Sequence, residues 1–282
     1  MMRLKSHRVV ESEFRSLAKS DRACREHLAS LRWPKGPRCP WCQAEEPWPL
    51  SQPGYKCRAC KREFKVTTGT LFADSRIPLR RWYHLIWGMV FKRASFHSSA
   101  AFKQAFLASP SKNAVTAWRT QQRLRQLIVT DDAPLSDEVE FQVTTLASRG
   151  GKRHTVLVFM RRSHNRRGTV RMVRAANASC DEVEKVIRHQ VSSTATLFGA
   201  NWASLESLAN DGYELRSGDA ELKRVTAVVE ALQQFFRGSH QGAIREAQIN
   251  DYLKEFVFGI NCEGSRKPLV MFEKLLRRAI WS

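Results

Sequence analysis

Four of the seven cysteines occur as two pairs with a spacing typical of metal ligands. Two residues separate Cys39 from Cys42 and Cys57 from Cys60, and fourteen residues lie between the pairs. Two such pairs suit tetrahedral coordination of one zinc ion by four thiolates. Because four sulfur ligands close the coordination sphere, the spacing predicts one structural zinc per chain that takes no part in catalysis. A redox-active CxxC is single and accompanies a βαβ pattern, which this sequence lacks.

The other cysteines, Cys24, Cys180 and Cys262, have no such spacing and are interpreted as ordinary thiols. An odd number of cysteines argues against a disulfide framework. The segment MMRLKSHRVVESEF contains no apolar stretch of the kind that marks an export signal, and no run of about 20 apolar residues is present. The sequence therefore predicts a cytoplasmic protein without a membrane partner.

The net charge indicates the class of partner. Lysines and arginines number 47 against 27 aspartates and glutamates, which gives +20 and an isoelectric point near 10.2. The basic excess is concentrated in residues 1–100 and 151–200, so two positive surfaces are expected. Such a charge favours a polyanion, nucleic acid before an anionic membrane, and predicts a nucleoid-associated protein. The alternative is a basic surface that is only solvated.

The elements around the cysteines are predicted to form a zinc ribbon over residues 37–75, after an N-terminal helical segment over residues 1–36. The alternation in YKCRACKREFKV, residues 55–66, is typical of a short hairpin packed on the metal. Basic side chains on this hairpin are expected to contact DNA phosphates. The candidates are Lys56, Arg58 and Arg62.

Residues 76–130 are predicted to form a helix-turn-helix DNA-binding region. A break at residues 109–111 precedes a second short helix that Asn113 can cap. The residues expected to face inward are Ala117, Trp118, Gln121 and Leu124. The outer face is then expected to carry Thr116, Arg119, Thr120 and Arg123. Of these, Thr116, Arg119 and Arg123 are candidates for reading bases in the major groove. The alternative is that this face is only solvated.

Residues 131–282 have the pattern of an α/β domain. Three segments from Glu138 onward are rich in β-branched residues and predict an antiparallel meander. A capping box from Ser179 to Glu182 begins a helix, a buried strand follows at residues 194–200, and further helices complete the chain. This order matches an RNase H-like fold. The predicted fold class is thus α/β and multidomain: zinc ribbon, helix-turn-helix region and C-terminal RNase H-like domain.

From about residue 20 to its end, the chain resembles the zinc-ribbon insertion-sequence transposases of the ISXO type, which carry an RNase H-like DDE integrase domain. The resemblance rests on an ordered set of motifs. These are CPWC…YKCRACKREFKVTTGTLFADSRIPLRRW, TAW at Thr116–Trp118, RGSH at Arg237–His240 and YLKEFVFGIN at Tyr252–Asn261. The resemblance implies double-stranded DNA as partner and a homodimer or larger assembly on it. It favours DNA contact by His240 only weakly.

In that family, three acidic side chains hold two divalent metal ions that cut and join DNA. Matching the motifs places Gln142, Ala200 and Thr226 at the three acidic positions, so none carries a carboxylate. These departures predict an inactive domain that binds no catalytic Mg²⁺. Glu140 and Glu230 lie near the first and third positions and could point toward the same pocket. They are otherwise expected to be an exposed strand charge and a solvated helix charge.

Three functions are compatible with these features. The first is a transposase-derived DNA-binding protein that is inactive and acts as a sequence-specific regulator, an architectural factor or an accessory to another protein machine. In it, the ribbon and the basic segment 161–174 contact phosphates. The second is an active DDE-type transposase or nuclease with a rearranged metal site. The third is an RNA-binding module, for which the sequence offers no single-strand stacking motif.

Overall fold

A computed structural model describes residues 7–91, 114–128, 133–162, 168–199, 207–217, 222–239, 245–263 and 268–281. The chain forms two compact units. The ribbon unit comprises Met1–Arg93, Arg119–Leu127 and Arg266–Ser282, and the sheet unit comprises Ala94–Trp118 and Ile128–Ser265. The last helix therefore belongs with the N-terminal part of the chain, unlike the contiguous segments that the sequence predicts. Within the described residues, no helix has the length and apolarity to cross a bilayer.

Helices build most of the ribbon unit. They are α1 His7–Leu17, α2 Asp21–Arg32, α3 Leu79–Phe91, the C-terminal part of α4 Ala114–Gln126, and α9 Pro268–Trp281. Helix α2 begins at its cap Ser20, whose hydroxyl accepts a hydrogen bond from the Ala23 amide at 3.1 Å. Aromatic residues fill the core: the Phe14 ring stacks on Trp87 at 4.5 Å and meets Phe272 edge-on at 5.4 Å.

A small three-stranded antiparallel sheet connects α2 to α3. Its strands are β1 Trp48–Pro49, β2 Tyr55–Lys56 and β3 Glu63–Phe64, in that order. The segment after β3 is joined to the helices by two hydrogen bonds, from Arg32 Nη1 to the Val66 carbonyl at 2.6 Å and from the Leu71 amide to the Ala279 carbonyl at 2.8 Å. The first helix of the predicted helix-turn-helix lies outside the described residues, and so does Asn113, the predicted cap of the second helix.

The sheet unit is built on a five-stranded mixed sheet. Its strands are β4 Glu138–Ala147, β5 Arg153–Arg161, β6 Val170–Arg174, β7 Thr196–Gly199 and β8 Glu214–Ser217. Their order is β6-β5-β4-β7-β8. Strands β4, β5 and β6 form the antiparallel meander that the sequence predicts, and β7 and β8 run parallel to β4.

The helices of this unit cover both faces of its sheet. They are α5 Cys180–Gln190, α6 Ser207–Asn210, α7 Lys223–Gln234, a π-helical turn Phe235–Ser239, a 3₁₀ turn Glu246–Gln248 and α8 Ile249–Glu263. Ser179 caps α5 as predicted, since its Oγ accepts from the Glu182 amide, but the reciprocal bond of a capping box is absent here because the Glu182 carboxylate accepts from the Ala176 amide. Helix α5 packs on one face through Ile187, whereas α7 and α8 pack on the other through Val225 and Leu253.

Strand β4 sends alternate side chains to these two faces. Val139 and Phe141 join the core beneath α5, and Leu146 joins the core beneath α7. Three polar side chains, Glu140, Gln142 and Thr144, have the same alternation as Leu146 and therefore point toward α7. The strand thus carries a polar stripe on its α7 side, and this stripe includes the first predicted catalytic position.

Candidate nucleic-acid interface

The two cysteine pairs form matching turns. In each, the amide of the first cysteine donates to a carbonyl five residues later: Cys39 to Ala44 and Cys57 to Arg62, both at 2.9 Å. The residue after each second cysteine adopts a left-handed conformation, with φ of 60° at Gln43 and 59° at Lys61. Neither of these residues is glycine, so each turn has a backbone strain that the surrounding contacts must offset.

The four sulfur atoms converge as zinc requires. All lie within 4.8 Å of one another, with Cys39 Sγ and Cys60 Sγ 3.6 Å apart and Cys42 Sγ and Cys57 Sγ 3.5 Å apart. A tetrahedron with Zn–S bonds of about 2.3 Å has edges of about 3.8 Å. The Cys60 amide donates to Cys57 Sγ at 3.4 Å and lowers the pKa of that thiol to about 6. The set therefore fits a thiolate-bound, closed structural zinc site.

The predicted phosphate contacts lie around the second cysteine pair. Arg58 and Arg62 are exposed, and Lys56 is half-buried in β2. Exposed indoles face these cations: the Arg58 guanidinium lies 5.8 Å from the ring centre of Trp48, and that of Arg62 lies 5.5 Å from the ring centre of Trp41. The sequence analysis missed both tryptophans. Their position beside prolines, close to the first cysteine pair, was the available signal.

Helix α4 does not present the outer face that its sequence predicts. Gln121 and Leu124 are buried as expected, and Arg119 is exposed. Thr120, however, is only 3% exposed, so the prediction that it faces outward is wrong. The Arg123 guanidinium is directed into the ribbon unit, where Nη2 donates to the Leu71 carbonyl at 2.6 Å. Packing against the ribbon unit buries a wider face of α4 than the apolar residues alone indicate.

The remaining base-reading candidate on α4 is Thr116, which is half-buried and lies in the sheet unit. Arg119 is thus the one exposed side chain among the three candidates on this described helix. Trp118 and Ala117, which the sequence also places on the inward face, have side chains outside the described residues. His240 of the RGSH motif is likewise outside them.

The segment 161–174, predicted to contact phosphates, uses several arginines within the sheet unit. Arg171 is buried and donates to the Ala133 carbonyl at 2.8 Å, so the prediction is wrong for this residue. Arg174 donates to Glu246 at 2.6 Å, and Arg162 donates to Glu140 at 2.9 Å. Residues 163–167 lie outside the described residues. Charge counts alone could not distinguish these internal ion pairs from a free basic surface.

Two of the three predicted catalytic positions meet in the sheet unit. The Thr226 hydroxyl on α7 donates to Gln142 Oε1 on β4 at 3.3 Å. The polar stripe continues along the same strand, where Gln233 Nε2 donates to Thr144 Oγ1 at 3.1 Å. Strand β7 ends at Gly199, and Ala200, the third position, lies outside the described residues. The motif matching from sequence therefore identified two positions that are neighbours in space.

Glu140 is the buried acid of this stripe, with 1% of its surface exposed. Both carboxylate oxygens have partners: Oε1 accepts from Arg162 Nε at 2.9 Å and Oε2 from the Val225 amide at 3.0 Å. The Arg162 guanidinium also lies 3.6 Å from the ring centre of Phe198. The expectation that Glu140 is an exposed strand charge is therefore wrong. Sequence analysis missed its partner Arg162, since 22 residues separate the two.

Glu230, the second acid considered as a replacement ligand, is exposed on α7, as expected of a solvated helix charge. Among the described residues, the four cysteines are the one group of three or more potential metal-binding side chains that converge. The α7 side of β4 thus holds neutral hydrogen bonds and one buried ion pair in the region where the resemblance implies metal-binding acids.

Comparison with known proteins supports the interpretation of the ribbon. Residues 19–63 match the family model described as the transposase zinc-ribbon domain. A 69-residue stretch is 38% identical to a protein described as an uncharacterized protein in transposable element ISH50, from Halobacterium salinarum. The match covers 23% of this chain and 23% of that relative, and no solved structure matches. The resemblance to zinc-ribbon insertion-sequence transposases is thus confirmed over this segment, and the ribbon holds a structural zinc.

Proposed function

We propose that this protein is a DNA-binding protein derived from an insertion-sequence transposase and that its sheet unit no longer cuts DNA. The observation that carries the proposal is the contact between Gln142 and Thr226, with the Thr226 hydroxyl 3.3 Å from Gln142 Oε1. Neutral side chains that bond to each other occupy positions at which the resemblance implies acids. The transposase-type ribbon, in contrast, keeps its complete ligand set.

The topology of the sheet unit supports descent from a DDE integrase. The strand order β6-β5-β4-β7-β8, with an antiparallel meander and two further strands parallel to β4, is the order expected of an RNase H-like domain and supports this part of the proposal. The π-helical turn that holds Arg237 follows α7 directly. Such turns are frequent at functional sites, and this one contains the start of the RGSH motif.

Metal chemistry argues against catalysis at this site. Mg²⁺ requires several oxygen ligands at about 2.1 Å and favours carboxylates. Gln142 and Thr226 offer neutral oxygens that already form a hydrogen bond. Glu140 would have to leave Arg162 and the Val225 amide to bind a metal, and the arginine would then keep only its longer pairing with the more exposed Glu138, at 3.6 Å. The alternative of a rearranged metal site therefore needs acids supplied by another part of the chain.

DNA binding is proposed to use two groups of side chains. Lys56, Arg58 and Arg62 on the ribbon contact phosphates, and Arg119 on α4 contacts bases, with Thr116 beside it. A site-specific regulator, an architectural factor or an accessory of another protein machine would all use this arrangement. By resemblance, the protein binds double-stranded DNA as a homodimer or larger assembly.

The decisive experiment has two stages. Crosslinking in cells and sequencing of the DNA that co-purifies would identify the bound sites. Purified protein would then be incubated with a duplex that carries such a site, in Mg²⁺ and separately in Mn²⁺. We expect sequence-dependent binding with neither nicking nor joining. Metal-dependent turnover that Glu140→Ala or Glu230→Ala abolishes would instead establish an active enzyme with a rearranged site.

A further inference from the structure

Two tryptophans on the zinc ribbon are exposed although the ribbon is small. Trp41, between the cysteines of the first pair, is 47% exposed, and Trp48 of β1 is 44% exposed. Trp33 provides the contrast: it is half-buried and packs edge-on against Tyr55 and Phe64 at 5.7 and 6.0 Å. The ribbon therefore has an aromatic core of its own. Trp41 meets this core at one edge, with its ring centre 6.3 Å from that of Phe64, and both exposed indoles keep a large part of their surface accessible.

Cations from one short segment hold both indoles. Lys61 Nζ lies 4.8 Å and the Arg58 guanidinium 5.8 Å from the ring centre of Trp48, and the Arg62 guanidinium lies 5.5 Å from that of Trp41. These distances lie within the range of cation–π attraction, about 6 Å from the ring centre. Both rings thus lie along residues 58–62, where each cation is exposed and next to an aromatic surface.

The charge of the ribbon argues against binding by phosphate contacts alone. Residues 37–75 contain six basic and four acidic side chains, a formal charge of +2. Four thiolates and a zinc ion add a formal charge of −2, so the loaded ribbon is close to neutral. Its positive charge is local: residues 55–65 contain five basic residues and one acid. An additional attraction is needed for firm binding, and the exposed indoles are suited to supply it.

We infer that Trp41 and Trp48 form a stacking site for unpaired DNA bases, with Arg58, Lys61 and Arg62 contacting the adjoining phosphates. Aromatic side chains beside a basic groove are the usual means of binding single strands, because every base has a π face. Bases within a duplex are already stacked on their neighbours, so the site requires a strand end, a gap or a locally opened helix. The inference rests on the proposed function, and it adds a preference for DNA with unpaired bases next to the duplex.

The test compares blunt duplex with the same duplex carrying a single-stranded overhang of about six nucleotides. Full-length, zinc-loaded protein is titrated with each DNA across a salt series. We expect the overhang to raise affinity about tenfold, and we expect much of this gain to persist at high salt, since stacking depends on salt far less than phosphate contact does. The variant Trp41→Leu/Trp48→Leu should lose the gain, so that its affinities for the overhang duplex and for the blunt duplex become equal.

Three controls make the result specific. Trp281→Leu removes an indole that is 75% exposed on α9, outside the ribbon, and should leave the gain unchanged. Trp41→Phe/Trp48→Phe should retain part of the gain, because phenylalanine also stacks. Zinc content and the thermal unfolding of each variant establish that the ribbon is folded. Photocrosslinking with 5-iodouracil in the overhang, followed by peptide mass spectrometry, should place the crosslink on the ribbon, within residues 39–56 or 57–64.

The outcomes separate this inference from the proposed function. Absence of binding to every DNA would overturn both. Firm binding to blunt duplex without an overhang gain, or with a gain that high salt abolishes, would overturn the stacking site alone. A crosslink that maps outside the ribbon would do the same. A stronger gain from an RNA overhang than from a DNA overhang would overturn the assignment of DNA as the ligand.

Discussion

The zinc ribbon and the β4–α7 contact use polar side chains in opposite ways. In the ribbon, four sulfurs converge to within 4.8 Å, and their geometry leaves the space between them for one ion. Between β4 and α7, the polar atoms of Gln142, Thr226 and Glu140 bond to other groups of the protein. The converging cysteines require a bound metal for stability, whereas the β4–α7 side chains already have hydrogen-bond partners within the protein. Removal of zinc should therefore destabilise the ribbon, whereas the β4–α7 contact should be disrupted only by changes to its own side chains.

Loss of zinc should give the largest effect and should affect one region only. Cys57→Ser removes one of four ligands from a site whose binding energy is folding energy, typically about 10 kcal/mol or more. We expect zinc to be lost and the ribbon to become sensitive to proteolysis, while the sheet unit unfolds at its usual temperature. Elemental analysis, limited proteolysis and calorimetry measure these quantities. Cys180→Ser, which alters an exposed thiol far from the ribbon in sequence, should change none of them.

Disruption of the buried ion pair should give the next largest effect, confined to the sheet unit. Glu140→Gln removes the buried carboxylate nearest Arg162, whose remaining carboxylate partner Glu138 is 3.6 Å away and more exposed, and should lower the free energy of unfolding by about 3 kcal/mol. Chemical denaturation of the sheet unit measures the loss. Glu230→Gln, at an exposed helix position, should stay within about 0.5 kcal/mol of the unmodified protein.

The double variant Glu140→Leu/Arg162→Met sharpens this prediction. Replacement of a whole buried pair by apolar side chains is often neutral, so the double variant should be more stable than Glu140→Gln. If Glu140→Gln had no effect on stability but changed metal binding, Glu140 would be a metal ligand. Both regions would then bind metal, contrary to the comparison made above.

The variants of the DNA-contacting arginines should have smaller effects, and these should be seen in the free energy of DNA binding. Arg119→Ala should cost about 1 to 3 kcal/mol on the cognate site and little on scrambled duplex, since an arginine can bridge two acceptors of guanine. Arg58→Ala should weaken both DNAs alike and reduce the salt slope by about one phosphate contact. Binding isotherms across a salt series measure both. If Arg119→Ala lowered the affinity for every DNA sequence equally, Arg119 would contact phosphates and α4 would not read the sequence.

Arg123→Ala is the matched control on the same helix. Its guanidinium bonds to the Leu71 carbonyl, so this variant should destabilise the ribbon unit without relaxing sequence preference. Thermal unfolding and competition with scrambled duplex distinguish the two effects.

Acid should produce the smallest effect, and it should act on the sheet unit. Hydrogen bonds from Lys152, and then from Arg174, lower the pKa of Glu246 from 4.5 to about 2. A folded-state pKa below the ordinary value stabilises the protein above that ordinary value, and the contribution is lost as the pH falls toward about 2. The difference in unfolding temperature between the unmodified protein and Glu246→Gln should therefore be constant near pH 7 and shrink below about pH 4.5. A difference that grows on acidification would contradict this assignment.

Local sequence patterns predicted much of this molecule. The cysteine spacing was sufficient for the ribbon because each turn involves six consecutive residues, as the Cys39–Ala44 hydrogen bond shows. The meander was also predictable, since β-branched residues recur along each strand. The motif matching placed Gln142 and Thr226 correctly as neighbours although 84 residues separate them.

Long-range packing determined what the sequence could not predict. Thr120 is polar and was expected outside, yet it is buried, because the ribbon unit covers that side of α4. Arg162 and Arg171 contribute to the basic charge count, but their hydrogen bonds are to the protein. A count of charges measures how many cations are present and cannot identify those with internal partners.

The position of helix α9 also has a consequence for the order of folding during synthesis. The ribbon unit includes a hydrogen bond between Leu71 and Ala279, so its native contacts span nearly the whole chain. At ribosomal rates of about 5 to 20 residues per second, the N-terminal helices wait roughly 10 to 40 s for their last partner. All the strands of the sheet unit are synthesised within that interval. The sheet unit can therefore reach its native state first, while the apolar surface of α3 stays without the cover that α9 later provides.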